Sequence, residues 1–311
     1  MDIPLIIRLL SASVKISYKA GAIVRKVMSS GNLGIIDKGV NDLQTKADRE
    51  AQACIVDSLE HRFPGICVIG EEAIDNAEQK LQTSELELTD DQFVLNQTCP
   101  TNLCNVNIDD IVVWVDPLDG TSEYTQGLIE HVTVLIGVSV NGRPVGGVIH
   151  QPFSPNDNNK GRSIYALEGM GCFGFERRWD VTNSAPDEHS NVLTTTRGHG
   201  TNIVNQALEA CGPTEIIRVG GCGHKVLLML EGRCHGYIFA SAGCKKWDTC
   251  APEAVLREAG GYLTDMLGRP FTYERDVNRS NSYGVLATAK KDWHQFYLSK
   301  IPQTVKEHFL Q

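Results

Sequence analysis

The chain is short of positive charge, of long apolar runs and of cysteines at metal-ligand spacing. It sets 29 Lys and Arg against 38 Asp and Glu, a net charge of −9 at pH 7, which argues against nucleic acid or an anionic membrane as a partner. No stretch reaches the roughly eighteen consecutive apolar residues that a spanning helix needs. Its start, Met1-Asp2-Ile3-Pro4, has an acid at position 2, and Arg8 interrupts the apolar residues behind it, unlike a secretion signal. A soluble, cytoplasmic monomer is expected. Ten cysteines are scattered without a Cys-x-x-Cys pair, so buried thiols are expected rather than disulfides or zinc ligands. There is no low-complexity tract and no repeat with a period of roughly 20–50 residues.

What remains is an ordinary globular composition, 41% hydrophobic and 22% charged. A length of 311 residues suffices for two packed lobes, since domains run to ~100–200 residues. The polar segment 177–190 is the natural boundary, giving one lobe over 1–178 and another over 179–311.

The run Ile-Val-Val-Trp-Val at 111–115 reads as a buried strand, with Asp116 where it stops. Ligands of open α/β sheets gather at such strand ends. In Asp116-Pro117-Leu118-Asp119-Gly120-Thr121, Pro117 and Gly120 predict a tight turn that returns Asp119 to the side of Asp116. Two like charges held together call for a cation between them, and hard oxygen donors suit Mg2+. A calcium loop of the EF-hand kind needs acids at alternate positions and a distal Glu, which do not follow. A haloacid-dehalogenase-type phosphatase separates its aspartates by one residue, not two. The plain alternative is an Asp-Pro turn capping a helix at Thr121.

The layout recurs upstream, where a strand at 66–70 ends in Glu71-Glu72, behind a helix begun by Thr45 or Asp48 and closed at Pro64-Gly65. Downstream, Asp248 leads into a helix over 251–259 that stops at Gly260-Gly261. For Asp48 and Asp248 the plain reading is a first-turn acid favoured by the helix dipole. A helix over 5–30 ending at Gly31, a weak helix around 77–86 in an acidic surface excursion, and a hairpin about Asn141-Gly142 in an antiparallel sheet are also expected. Further strands are expected near 191–196, 216–219 and 237–240. Gly220-Gly221-Cys222-Gly223-His224-Lys225 precedes a helix at 226–230. Backbone N–H groups of such a turn can cradle an anion, although turn geometry alone accounts for the glycines.

These motifs, in this order, resemble the inositol monophosphatase superfamily of Mg2+-dependent, lithium-sensitive phosphatases: Gly70-Glu71-Glu72, the Asp116 to Thr121 hexapeptide, and Trp247-Asp248-Thr249-Cys250-Ala251-Pro252-Glu253. Asp42-Leu43-Gln44-Thr45-Lys46-Ala47-Asp48, Thr194-Thr195-Thr196-Arg197 and Gly243-Cys244-Lys245-Lys246 bring the chain nearest to the superfamily's bisphosphate nucleotidases. The resemblance implies an α/β (α+β) chain in a five-layer αβαβα sandwich of two lobes. It implies hydrolysis of the 3′-phosphate of adenosine 3′,5′-bisphosphate to AMP, with the 2′,5′-bisphosphate and PAPS as further substrates. Two or three Mg2+ ions are implied: one on Glu71, Asp116 and the carbonyl oxygen of Leu118, a second on Asp116, Asp119 and Asp248, and a weaker third helped by Glu71. Asp48 and Thr121 would position and deprotonate the attacking water. Gly120, Thr196, His199, Gly221, Lys225 and Asp248 would meet the nucleotide.

The residue types agree with that chemistry. Phosphate monoester hydrolysis needs a nucleophile, neutralised phosphoryl oxygens and a stabilised leaving alkoxide, which a pair of metal ions can supply. Thr121 is too weak a base alone, so Asp48 should accept the proton through it. Ser122 stands where the vertebrate pattern has Lys, and Cys222 and His224 stand where small or amide residues are usual. The nearest catalytic alternative is an inositol polyphosphate 1-phosphatase or inositol monophosphatase. The alternative of another class is a catalytically silent nucleotide-binding protein.

Overall fold

The structure, a computed structural model, describes residues 3–39, 42–73, 80–154, 160–198 and 201–310. It opens with α1 (Leu5–Ser30), which buries Leu9, Val14, Ile16, Ala20, Val24 and Val27 on the face their spacing predicts and ends at Gly31 with φ 70°. A short antiparallel hairpin, β1 (Ile36–Gly39) and β2 (Asp42–Gln44), leads into α2 (Lys46–Arg62). Ala47, Ala51, Ile55 and Leu59, one turn apart, make the buried stripe that α2 lays beside α1. After β3 (Cys67–Gly70), the described part of the helix expected around 77–86, residues 80–86, contains no α-helix. Ala77 lies outside the described residues, and Thr83–Glu85 makes one 3-10 turn after which Leu86 is extended. Glu85 Oε2 accepts the Gln82 N–H at 3.0 Å, so the side chain closes this turn locally instead of letting a helix propagate. A single helical turn, α3 (Gln92–Leu95), ends the excursion.

β4 (Ile111–Asp119) is buried along its whole length. It pairs parallel with β3 and antiparallel with β5 (Thr133–Val140), after the short α4 (Thr121–Thr125). The strand does not stop at Val115 as its apolar run suggests. Asp116 pairs with Leu135 and Asp119 with Thr133, so three steps on β4 match two on β5. Pro117 has no N–H for the ladder, and the chain absorbs it as a bulge rather than a turn. Asn141 and Gly142, both at positive φ (49° and 74°), then make the expected hairpin to β6 (Arg143–Gln151). β7 (Arg162–Leu167) and β8 (Gly171–Phe173) complete a six-stranded sheet in the order β3-β4-β5-β6-β7-β8.

The second half runs β9 (Val192–Thr196), α5 (Asn202–Ala210), β10 (Glu215–Val219), α6 (Cys222–Leu230), β11 (Gly236–Phe239), α7 (Lys246–Glu258), β12 (Tyr262–Thr264), β13 (Val285–Thr288), α8 (His294–Lys300) and α9 (Gln303–His308). Its five strands are ordered β10-β9-β11-β13-β12. Both central helices start earlier than their apolar spacing suggests, α6 inside the glycine-rich turn and α7 before Asp248, with Pro252 inside it. Asp248 itself, bonded to the Lys245 N–H at 2.6 Å, closes the first turn of α7.

Alternate residues of β4 face opposite ways: Val113 and Val115 join α1 and α2, whereas Val112 and Trp114 join α6, α7 and the inner face of the second sheet. A third core, with Leu193, Val204, Leu208, Ile238, Leu286, Tyr297 and Val305, seats α5, α8 and α9 on the outer face of that sheet. The order is helices, sheet, helices, sheet, helices, the expected five layers. The middle layer lies unusually close to the first sheet. Gly137 and Gly147 are register partners on β5 and β6, and a Cβ on them would stand 2.6 Å from the Ala251 nitrogen and 2.7 Å from its Cα. The α7 backbone therefore rests directly on a glycine floor.

Filling that floor has a predictable cost. Gly147→Val should lower the free energy of unfolding by about 1–3 kcal/mol or more, read as a lower urea midpoint at an unchanged slope.

Candidate active site

The bulge in β4 turns Asp116 and Asp119 into one cavity. Asp116 Oδ1 accepts the Leu118 N–H at 3.0 Å, which leaves its other oxygen free of backbone. Asp119 meets the glycine-rich turn: the N–H groups of Cys222 and Gly223 donate to its two oxygens at 2.9 and 2.8 Å, and the Thr133 hydroxyl adds a third bond at 2.6 Å. The turn does cradle an anion, and that anion is a carboxylate of the protein itself. Gly221 is held at φ 66°, where a Cβ would stand 2.8 Å from the His131 carbonyl oxygen and 2.9 Å from Asp119 Oδ2, so the close approach requires glycine.

Asp48 and Asp248 arrive from helix starts, each three residues after the residue that caps the helix. Asp48 Oδ2 accepts the Thr45 N–H at 2.7 Å and the Thr45 hydroxyl at 2.5 Å. Its other oxygen, Oδ1, lies 3.1 Å from the Thr121 hydroxyl, which is also 2.9 Å from the Leu118 carbonyl oxygen. Each acid therefore closes the first turn of its helix with one oxygen and presents the other. The first-turn reading is met at both residues, and it leaves room for a site role beside it.

Glu71, Asp116, Leu118, Asp119, Gly120, Thr121, Thr196, Gly221, Lys225 and Asp248 all line one cavity of about 450 Å3. Asp48 is fully buried just behind Thr121. Lys225 is also buried; its ammonium donates to the Gly221 carbonyl oxygen at 2.8 Å and lies 5.2 Å from the centre of the Tyr237 ring. His199 lies outside the described residues.

Three further residues take places that the motifs did not assign them. Thr133 reads as a strand residue until the register sets it opposite Asp119. Glu72 points away from the cavity mouth and pins the β1–β2 hairpin, through Lys38 at 2.9 Å and Gln44 at 2.5 Å. Cys244 lines the cavity with Cys222, and all ten cysteines are free thiols, as expected.

Burial raises the carboxyls of Asp48, Glu71, Asp116, Asp119 and Asp248. Asp48 is pushed up to about 6 by burial against the opposing hydrogen bonds from Thr45, and Asp248 to about 6 by burial and then by Asp119. Glu71 rises well above its ordinary value through burial and then Asp248, and Asp116 through burial and then Glu71 and Asp119. Asp119 also rises by burial, held back by Thr133 and Lys225. So many acids cannot all ionise in one buried cavity unless a cation joins them. As they stand, no group of three or more His, Cys, Asp or Glu side chains among the described residues closes a metal cage; Asp116, Asp119 and Asp248 each bond a neighbouring backbone N–H. The donor set still fits Mg2+: it is all oxygen, and Asp116 and Asp248 each have one oxygen bonded to a backbone N–H and a second to offer.

The pattern extends over the whole chain. A model of the inositol monophosphatase family matches residues 7–306. The chain belongs to that family. It is 42% identical over 306 residues to 3′(2′),5′-bisphosphate nucleotidase 1 of Homo sapiens, covering 97% of this chain and 96% of the relative. It is 37% identical over 306 residues to the protein of the same name in Dictyostelium discoideum, covering 94% and 96%. Among solved structures, the extragenic suppressor protein suhB of Bartonella henselae superposes with a TM-score of 0.68 at 22% identity over 94% of this chain and 97% of its own. A Thermotoga maritima IMPase does so at 0.66, also at 22% identity, over 96% and 97%. These two share the family fold. Among the described residues no helix is long and apolar enough to cross a membrane.

The raised carboxyls make a signed prediction. Between the ordinary aspartate value of 3.8 and about 6 the folded state binds more protons than the unfolded chain at Asp48 and Asp248. Their contribution to stability is therefore present at low pH and lost as pH rises through that window. In chelator, Asp248→Asn should flatten this fall in melting temperature between pH 4 and pH 7. Adding Mg2+ near pH 6 should release protons, measured by calorimetry in two buffers of different ionisation enthalpy.

Proposed function

We propose that the chain is a Mg2+-dependent phosphatase that removes the 3′-phosphate of adenosine 3′,5′-bisphosphate to leave AMP. One observation carries the reading: the Thr121 hydroxyl, 3.1 Å from the buried Asp48 carboxylate, opens onto the cavity lined by Glu71, Asp116, Asp119 and Asp248. The 42% identity to a relative named for bisphosphate hydrolysis supports the substrate.

Glu71, Asp116, the Leu118 carbonyl oxygen, Asp119 and Asp248 would hold the metal, which when bound offsets phosphoryl charge and acidifies water. The chain's own groups then handle the proton and the substrate. Asp48, at about 6, is mostly ionised at neutral pH and can accept a proton. Thr121 gives its hydroxyl proton to Asp48 and takes one from the attacking water, so a neutral hydroxyl serves as relay. Lys225 brings positive charge to the phosphate side of the cavity. Thr196, Gly120 and Gly221 form walls against which the nucleotide rests, joined by His199 on the resemblance. Action on the 2′,5′-bisphosphate and PAPS, inhibition by lithium and a cytoplasmic, monomeric protein belong to the same proposal.

Phosphate release from adenosine 3′,5′-bisphosphate, compared with inositol 1-phosphate and inositol 1,4-bisphosphate on one preparation, tests it. A preference for the inositol phosphates would move the assignment within the family. Tight binding of the bisphosphate without turnover would instead favour a silent binding protein. Asp48→Asn and Thr121→Ala should each lower kcat by about 10²–10⁴-fold while leaving the dissociation constant of the nucleotide within a small factor of wild type.

A further inference from the structure

The long coil between β12 and β13 carries none of the motifs above, yet it wraps the start of α7. Asn281, 2% exposed, is its innermost polar residue. Its backbone N–H donates to the Cys244 carbonyl oxygen at 2.8 Å. Its side-chain Nδ2 donates to the Lys245 carbonyl oxygen at 2.8 Å and to the Thr249 hydroxyl at 2.9 Å. The same Lys245 supplies, through its N–H, the 2.6 Å bond to Asp248 Oδ2. Around it, the Lys246 N–H donates to the Arg279 carbonyl oxygen at 2.8 Å, the Lys245 ammonium to Ser280 Oγ at 3.0 Å, and the Tyr273 hydroxyl to Thr249 Oγ1 at 3.1 Å.

We propose that Asn281 is the positioning residue for Asp248, fixing the angle at which that carboxylate enters the metal site. The Lys245 residue is gripped at both ends, by Asp248 at its nitrogen and by Asn281 at its oxygen, so the rotation of the 244–248 turn is removed. A residue kept only to fill the interior would not be an amide whose Oδ1 finds no partner among the described residues, since an unpaired buried acceptor is destabilising. The two donated bonds account for the amide. Groups that orient metal ligands in this way typically change metal affinity or activity by about 10–100-fold when removed.

The inference rests on the Mg2+ site proposed above, and its test separates the two. Wild type, Asn281→Ala, Thr249→Val and Thr249→Ser are titrated with Mg2+ without substrate, following melting temperature and calorimetric heat. They are then assayed for kcat and KM on adenosine 3′,5′-bisphosphate at saturating Mg2+. Asn281→Ala should raise the Mg2+ concentration for half-maximal stabilisation about 10-fold or more and leave KM at saturating Mg2+ near wild type. Thr249→Val should shift Mg2+ affinity the same way, and Thr249→Ser, which keeps the hydroxyl, should restore it. If Asn281→Ala does not fold, the contrast between Thr249→Val and Thr249→Ser decides. Lower stability in chelator with unchanged Mg2+ half-saturation would overturn the positioning role alone. A wild type that neither binds Mg2+ nor releases phosphate would overturn the proposed function, and this role with it.

Discussion

Repulsion among Glu71, Asp116, Asp119 and Asp248, with Asp48 behind them, is the constraint around which the fold is built. Asp48, Asp116 and Asp119 are buried, Glu71 and Asp248 are half-buried, and all are pushed toward the protonated form. Three helices besides the short α4, which starts at Thr121, begin at this place. α2 starts beside Asp48, α6 beside Asp119 and α7 beside Asp248, and each supplies backbone N–H groups to its acid or has its capping N–H taken by it. A helix N-terminus carries partial positive charge, so the convergence offsets part of the repulsion before any cation enters. It leaves the remaining oxygens directed inward.

The two halves of the chain cannot build this site separately. β3 and β4 of the first sheet bring Glu71, Asp116 and Asp119, while α6 and α7, from the second half, lie on that same sheet and bring the Gly221 turn and Asp248. What sets their distance is the glycine pair at 137 and 147, which lets the α7 backbone touch the strands. A larger residue there would displace the helix end that carries Asp248 along with the helix body, because a packed helix moves as a rigid element. Packing and catalysis are thus linked through one helix.

Much of this was legible in the sequence because acids at strand exits and helix starts are local patterns. Asp116 and Glu71 sit where an apolar strand ends and Asp48 and Asp248 where a helix begins; Glu71, Asp116 and Asp248 line one cavity, with Asp48 behind Thr121. The bulge was not legible, since Asp-Pro and Asp-Gly read as a turn, and only the pairing of Asp119 with Thr133 shows that the strand continues. Thr133 and Asn281 were invisible for a related reason: a hydroxyl in a strand and an amide in a coil acquire meaning only from what the tertiary structure places opposite them. The starts of α6 and α7 lie earlier than local pattern suggests, because Gly220, Gly221 and Gly223 read as a turn and Pro252 reads as a first-turn residue. Capping by Asp248, and the bonds that Asp119 accepts at the start of α6, outweigh them.

The double use of Asp48 and Asp248 bears on why such acids persist in a place that costs stability. A first-turn acid alone could be exposed, where its charge would cost little and the helix dipole would still favour it. Here Asp48 is fully buried, and Asp248, half-buried, lies among three other carboxylates. The capping bond repays only part of that desolvation, so capping explains the position of each carboxyl in its helix but not its burial among like charges. What remains unexplained by folding is that the second oxygen of Asp48 accepts the Thr121 hydroxyl and that Asp248 stands in the cavity wall beside Asp116 and Cys244. A structure that gives up stability at these atoms, and arranges three helix ends and a coil to hold them still, is one in which those oxygens have work beyond the fold.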